Sequence, residues 1–174
     1  VGPQRIFAVS GNFEFAMGTT GLLHRAGVST LDGSLVFVTH KGAALQVAGI
    51  GFQPGILEGE RELRDLASQL HPHLPAVLLH HTPDLAESES IQAFDLVLSG
   101  HTHGGQVRLP FYGALITLAR YGKRYEAGWY RLGEKTWLLV NRGVGTEAPP
   151  APRIRFLCRP EVVVLDLIPK GEVR

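Results

Sequence analysis

The chain has 174 residues, of which 44% are hydrophobic and 19% are charged, enough for one ordinary globular domain with a buried core. Seventeen Lys and Arg residues against sixteen Asp and Glu leave a formal net charge of +1, which argues against a nucleic-acid-binding protein. The single cysteine, Cys158, excludes an intrachain disulfide and a cysteine-based zinc site. No apolar stretch reaches the ~18 residues of a membrane-spanning helix.

The first half of the chain alternates short apolar runs with helical patterns, which predicts an α/β domain with a sheet covered by helices. In chain order the patterns predict a strand over residues 6–9, a short helix that ends at Gly27, and a β-hairpin whose turn contains Gly42. Over residues 57–70, apolar residues recur at intervals of three and four, which predicts a helix with one face on the sheet.

The second half of the chain is richer in strand patterns. Two apolar runs that end near His80 and Ser99 predict buried strands, and Asp84 can cap a helix between them that extends to about Ala93. The last three predicted strands cover residues 126–132, 136–141 and 161–168. The chain begins inside a strand pattern without an initiator Met, which is typical of the remainder of a longer chain.

Charged residues are distributed unevenly along the chain. Acidic residues concentrate between Glu58 and Asp95, whereas Arg and Lys residues cluster between Arg108 and Arg159. This asymmetry would suit an anionic substrate, although a solvated charged face gives the same pattern.

Polar side chains follow three of the predicted strands. The predicted strand at residues 6–9 leads to Asn12. The apolar run at residues 76–79 leads to His80 and His81, and the run at residues 96–99 leads to His101 and His103. Because the ligand crevice of an α/β sheet lies beyond the carboxyl ends of its strands, these residues are expected to converge on one site. In extended backbone, the last two histidines would point the same way and could serve one metal ion or two neighbouring ions.

Ordinary structural roles account for most of the other histidines. The pair His71 and His73 has the same spacing but encloses a proline at a helix end, so we interpret it as structural. His24 and His40 fall in a short helix and at a hairpin turn. Consecutive strand residues face opposite sides of a sheet, so at most one histidine of the 80–81 pair is expected to be a ligand.

The glycines that follow the last histidine pair are candidate substrate-binding residues. Gly104 and Gly105 have no side chain to obstruct a ligand, so their backbone N–H groups could face a phosphate oxygen.

The segments "LLHHTPDL" and "FDLVLSGHTHGGQVRLPF" closely resemble the last two metal-binding motifs of the calcineurin-like metallophosphoesterases, particularly their bacterial phosphodiesterase branch. The resemblance continues through "GALITLARYGKRYEAGWYRLG", "NRGVGT" and "CRPEVVVLDL", and "VSGNFEF" is similar to the family's third motif, G-N-H-D or G-N-H-E. It implies that residues 1–174 are the C-terminal portion of a single phosphoesterase domain, an α/β two-sheet sandwich flanked by helices.

The resemblance also implies a reaction and its ligands. Members of this family hydrolyse phosphomonoesters or phosphodiesters with a metal-activated water at a centre of two divalent ions of the Mn, Fe or Zn type. Carried over by motif, Asn12, His81 and His101 would bind one metal and His103 the other. His81 takes this role because it directly precedes "TPD", where the family has its histidine.

Two departures from the family pattern bear on activity. The first two motifs, D-x-H and G-D-x-x-D, occur nowhere in the chain, so we expect an incomplete domain that is inactive in isolation and lacks the bridging carboxylate. Phe13 stands where the family has a histidine that contacts the reacting phosphate or leaving group, and Glu14 then has no imidazole to orient. The catalytic acid is therefore unassigned.

Two alternatives to the phosphoesterase remain open. A degenerate relative would bind a metal or an anionic ligand without turnover. A metallo-β-lactamase-type hydrolase expects H-x-H-x-D-H, and the residues Gly104, Gly105 and Gln106 count against it.

The resemblance leaves the substrate less defined than the reaction. Relatives of this branch act on phospholipid-like or nucleotide-linked diesters near membranes, so such phosphoesters are the expected partners. The apolar stretch "LPFYGALI" is either a peripheral membrane contact or a buried anchor, and the location stays open between cytoplasmic and membrane-associated.

Overall fold

The computed structural model describes residues 6–147 and 153–168. Within these ranges, three helices precede or cover the sheet: α1 (Asn12–Met17), α2 (Thr20–Arg25) and α3 (Ile56–Ser68). In chain order the strands are β1 (Phe7–Ala8), β2 (Ser29–Thr30), β3 (Ser34–His40), β4 (Ala43–Ile50), β5 (Ala76–His80), β6 (Leu96–Ser99), β7 (Arg108–Leu109), β8 (Gly113–Ala114), β9 (Gly128–Leu132) and β10 (Thr136–Val140).

The main element is a mixed six-stranded sheet with the order β3-β4-β5-β6-β10-β9. Strands β4, β5, β6 and β10 are parallel, whereas β3 and β9 pair antiparallel at the two edges. The four parallel strands therefore end at the same edge of the sheet. The loops beyond this edge are hydrogen-bonded to one another, since the Gly100 N–H donates to the His81 carbonyl oxygen over 3.0 Å.

The first strand lies beside the end of β4 and positions the segment that leads into α1. Strands β1 and β2 form a parallel pair, and the Phe52 N–H after β4 donates to the Ser10 carbonyl oxygen over 2.8 Å. The Ser10 hydroxyl and N–H both donate to the Asp32 carboxylate, over 2.7 and 2.9 Å. These bonds hold the start of α1 at the carboxyl edge of the sheet.

The core lies between one face of the sheet and α3. Leu63 and Leu66 of the helix are almost completely buried against Ile50, Leu78 and Phe94. Each such side chain contributes roughly 1.5–3 kcal/mol through removal of apolar surface from water. This packing stabilises the sheet edge that carries the polar loops.

Most predicted elements are confirmed. The hairpin of β3 and β4 turns through Gly42, whose φ of 82° favours glycine, and α3 corresponds to the predicted amphipathic helix. The α/β class is confirmed as a mixed sheet with few helices. The described residues contain one large sheet and two two-stranded ones, so the two-sheet sandwich stays a prediction.

Two predicted elements are wrong. Residues 84–87 form turns before a 3₁₀ segment, Glu89–Ala93, and the Asp84 carboxylate accepts from the Arg120 N–H instead of capping a helix. Residues 161–168 form no strand, and Val162 and Val164 are 80% and 87% exposed. A strand needs a neighbour for its backbone groups, and in the described ranges this segment pairs with none. Among the described helices, none is long and apolar enough to cross a membrane.

Candidate metal site

Three side chains from separate parts of the chain meet at the carboxyl edge of the sheet. The Nε2 atom of His81 lies 2.8 Å from the Oδ1 atom of Asn12 and 3.1 Å from the Nδ1 atom of His101. The imidazole rings of the two histidines lie edge to face, with their centres 4.9 Å apart. The structure thus brings together three of the four predicted metal ligands.

Local geometry explains how Asn12 reaches this position. It is the first residue of α1 and follows Gly11, whose N–H donates to the Glu14 carboxylate over 3.0 Å. A Cβ atom at Gly11 would lie 2.6 Å from the Cε1 atom of His81, closer than real side chains approach. Position 11 therefore needs glycine so that the helix start and the His81 ring can be neighbours. Phe13 offers Glu14 no imidazole partner, and the Glu14 carboxylate instead accepts the hydrogen bond from the Gly11 backbone N–H.

His80 and His81 point to different environments, as the alternation along a strand predicts. The buried His80 ring has its Nδ1 atom 3.1 Å from the Ile50 carbonyl oxygen and its Nε2 atom 3.2 Å from the Thr82 hydroxyl. The carbonyl oxygen can only accept, so Nδ1 carries the proton and the hydroxyl donates to Nε2. Both ring nitrogens are thereby engaged, and His80 ties β5 to β4.

The backbone of His101 and His103 is not extended, so the alternation argument for these two residues is wrong. Their φ angles are 66° and 49°, and His103 begins a 3₁₀ turn, His103–Gly105. The Thr102 hydroxyl explains this shape, because it donates to the Glu126 carbonyl oxygen over 2.8 Å and accepts from the Gly104 N–H over 3.2 Å. The turn, rather than strand geometry, decides where each imidazole points.

His103, the fourth predicted ligand, has a different set of neighbours. Its Nε2 atom lies 3.8 Å from the Glu147 carboxylate, and its Nδ1 atom lies 3.5 Å from the Arg155 guanidinium. Its close contacts are therefore an anion and a cation, not the amide and imidazoles around His81.

Arg155 connects the His103 turn to the loop after β10. Its guanidinium donates to the carbonyl oxygens of Arg142 over 2.8 Å, Gly143 over 3.1 Å, Gly145 over 3.0 Å and His103 over 3.3 Å. Sequence reasoning included Arg155 only in the late basic cluster. No local pattern marks such a role, because these four carbonyl groups lie 10 to 52 residues away.

Gly104 and Gly105 are needed by the packing of the turn. Both have positive φ, and a Cβ atom would lie 2.8 Å from the Cys158 Sγ atom at the first and 2.3 Å from the Ala114 Cβ atom at the second. Their N–H groups donate within the turn, to the hydroxyl and carbonyl oxygens of Thr102. Contact between these two glycines and a substrate phosphate stays a prediction. In the structure both glycines are required for the close packing of the turn.

Burial favours the neutral form of His80, His81 and His103. Burial, together with the neighbouring His101, His80 and His103, lowers the pKa of His81 to about 4. Burial also lowers the pKa of His80 and of His103. A neutral imidazole keeps one ring nitrogen with a free electron pair, which is the form that metal ions bind.

The donor set fits one divalent ion in part. An amide oxygen and two imidazole nitrogens suit ions such as Mn, Fe and Zn. In the part of the chain that the structure describes, no group of three or more His, Cys, Asp or Glu side chains is placed to hold a metal. His81 and His101 supply two metal-binding nitrogens, and the Asn12 amide oxygen is the third donor. Further ligands to the ion would have to come from other residues.

Comparison with known proteins gives relatives but no match to a family model and no significant match to a solved structure. The chain is 40% identical to the uncharacterized metallophosphoesterase YkuE of Bacillus subtilis, over 72% of this chain and 41% of that protein. It is 32% identical to the phosphodiesterase YaeI of Escherichia coli, over 93% of this chain and 58% of YaeI. It is 34% identical to the UDP-2,3-diacylglucosamine pyrophosphatase LpxG of Chlamydia muridarum, over 55% of this chain and 30% of LpxG. The chain thus spans between about a third and three fifths of these relatives.

Proposed function

Because the chain belongs to the calcineurin-like metallophosphoesterase superfamily, we propose that residues 1–174 form the C-terminal portion of a single phosphoesterase domain that hydrolyses phosphodiesters with divalent metal ions. The observation that carries the proposal is the meeting of Asn12, His81 and His101 at the carboxyl edge of the sheet. Such convergence of distant segments is what a ligand site in an α/β sheet requires.

In this proposal each residue of the cluster has a defined task. Asn12 supplies an amide oxygen, and the low pKa of His81 keeps its imidazole unprotonated, so that it binds a cation at neutral pH. His101 supplies the third donor of the first ion, and His103 contributes to a second ion. Divalent ions so held would withdraw charge from the phosphate and make a water molecule more acidic.

The leaving group needs a proton donor that this cluster does not supply. Phe13 is 56% exposed on α1 and can neither donate nor accept a proton. We therefore assign no catalytic acid, and we expect slow turnover unless water or another group protonates the leaving oxygen.

The substrate is proposed to be a phosphoester linked to a lipid or a nucleotide. The name of LpxG, a pyrophosphatase for UDP-2,3-diacylglucosamine, supports both kinds of linkage. Peripheral membrane contact is supported by the tip of the β7–β8 hairpin, where Phe111 is fully exposed and Tyr112 is 57% exposed. Lys123 lies over the Tyr112 ring, 3.3 Å from its centre, and adds the positive charge that anionic lipids attract.

The proposal is tested with the full-length protein, Mn²⁺ and bis-p-nitrophenyl phosphate. We expect His81→Ala and His101→Ala to lose on the order of 100-fold or more in kcat/KM, since each removes a direct metal ligand. His24→Ala is the matched control, because His24 is an exposed histidine on α2. Equal rates for the wild type and both site variants would refute the site.

The second candidate function is metal or anion binding without turnover, and Phe13 is the observation that favours it. Calorimetric titration with Mn²⁺ separates the two. Binding that is lost in His81→Ala, with no hydrolysis by the wild type, would establish the non-catalytic relative.

A further inference from the structure

A cavity of about 290 Å³ opens directly beside the candidate metal site. Its wall includes the two histidines of the "HTH" motif and four aliphatic side chains, Val107, Leu115, Ile116 and Leu118. We propose that this cavity binds an uncharged apolar arm, an alkyl or acyl chain, of the phosphoester substrate. The inference rests on the proposed function and specifies which substrates the same site prefers.

The cavity is continuous with the candidate metal site, where the phosphate would bind. The Nε2 atom of His101 lies 3.4 Å from the Leu118 carbonyl oxygen, so one wall of the cavity touches a candidate metal ligand. A substituent on a phosphate bound at His101 would therefore extend along Leu118 into the cavity. A pocket far from the metal site could not hold a substituent of the same phosphate.

The chemistry of the wall favours an apolar group over a second phosphate. Among the described residues that line the cavity, none is Lys or Arg, and Glu147 contributes a carboxylate. A second anionic group there would meet this carboxylate, and the four aliphatic side chains would offer it no hydrogen-bond donor. Leu115, Ile116 and Leu118 remain 46%, 69% and 62% exposed, so an alkyl chain that covers them would remove apolar surface from water.

The wall is also held in place before any ligand binds. The Glu126 carboxylate accepts from the Arg108 guanidinium over 2.6 Å and from the Ala114 N–H over 2.9 Å, which joins β7 to β8. The Leu115 N–H donates to the Val107 carbonyl oxygen over 3.1 Å. A preformed wall reduces the ordering cost of binding.

The test uses alkyl p-nitrophenyl phosphates with methyl, butyl and octyl arms and the full-length protein with Mn²⁺. We expect kcat/KM to rise with arm length, by up to about fourfold for each methylene that becomes buried. Ile116→Ser and Leu118→Ser, both at exposed positions that tolerate substitution, should lower the ratio of the octyl rate to the methyl rate. Leu57→Ser is the control, since Leu57 is 73% exposed on α3, and it should keep the wild-type ratio.

A binding measurement separates failure of this inference from failure of the hydrolase. Calorimetry with octylphosphonate and methylphosphonate in Mn²⁺ needs no turnover. Tighter binding of the octyl compound, weakened by Leu118→Ser, supports the cavity even if no ester is hydrolysed. Hydrolysis without any dependence on arm length, or equal affinity for both phosphonates, would overturn it.

Discussion

The guanidinium of Arg155 donates a hydrogen bond to the backbone carbonyl oxygen of His103 across 52 residues of sequence. The same group bonds three carbonyl oxygens in the loop after β10, so it holds the predicted second-metal histidine against that loop. A planar group with five donors can serve four acceptors at once, which a lysine ammonium cannot.

We therefore expect Arg155→Gln, and to a similar degree Arg155→Lys, to lower the free energy of unfolding by about 1–2 kcal/mol, because three partly buried carbonyl groups and an exposed one lose their donor. Thermal or urea denaturation measures this loss. Arg153→Gln is the matched control, since Arg153 is an exposed arginine two residues away. Equal destabilisation by both variants would contradict the proposed role of Arg155.

The low pKa of His81 predicts that acid destabilises the metal-free protein. The folded state holds His81 neutral down to about pH 4, whereas an unfolded histidine takes up a proton near pH 6.5. Between these values the unfolded chain binds more protons, so stability falls as the pH is lowered through this window. We expect a loss on the order of 1–2 kcal/mol between pH 7 and pH 5, measured by urea denaturation with EDTA. His81→Gln should reduce this pH dependence, and an unchanged profile would contradict the burial of a neutral His81.

Gly11→Ala tests whether the start of α1 and the His81 ring need to be neighbours. The new Cβ atom would lie within 3.0 Å of the ring, so either the helix start or His81 must move. We expect Mn²⁺ affinity to fall by about tenfold or more, because ligand placement within a fraction of an ångström decides metal binding. Gly21→Ala is the control, since a Cβ atom at this position of α2 would have no neighbour within 4 Å. Unchanged Mn²⁺ affinity in Gly11→Ala would show that the contact does not position the ligands.

Phe13→His asks whether the phenylalanine limits catalysis. Phe13 is exposed, so the substitution should not disturb the core, and an imidazole there could donate a proton to the leaving group. We expect kcat for a phosphodiester to rise by about 100-fold in the full-length protein. Met17→His, at an equally exposed position of α1, should have no effect. A similar gain from both variants would point to nonspecific metal capture by the added histidine.

Sequence patterns correctly predicted the secondary-structure elements that depend on residues close together in the chain. The hairpin at Gly42 and the amphipathic α3 depend on neighbouring residues, and both are confirmed. The meeting of Asn12, His81 and His101 was also predicted, because parallel strands share a carboxyl edge.

The failures arise where distant partners decide the structure. Asp84 could cap a helix by local rules, but its carboxylate accepts from Arg120, 36 residues away. His101 and His103 have positive φ in a turn that is held by a hydrogen bond from the Thr102 hydroxyl to the Glu126 carbonyl oxygen, 24 residues away. Residues 161–168 have a strand pattern, but strand formation also needs a neighbouring strand, which sequence alone does not identify.

The sheet topology has a consequence for the order of folding. Strands β3 and β4 are joined by only Lys41 and Gly42, whereas β6 and β10 align Leu96 with Trp137 across 41 residues. Short loops close at lower entropic cost, so the hairpin should form early and the pairing of β6 with β10 late. We expect Gly42→Ala to slow refolding and Leu138→Ala mainly to speed unfolding in stopped-flow measurements. The edge of the sheet that carries His101 would then be among the last parts of this chain to acquire its native shape.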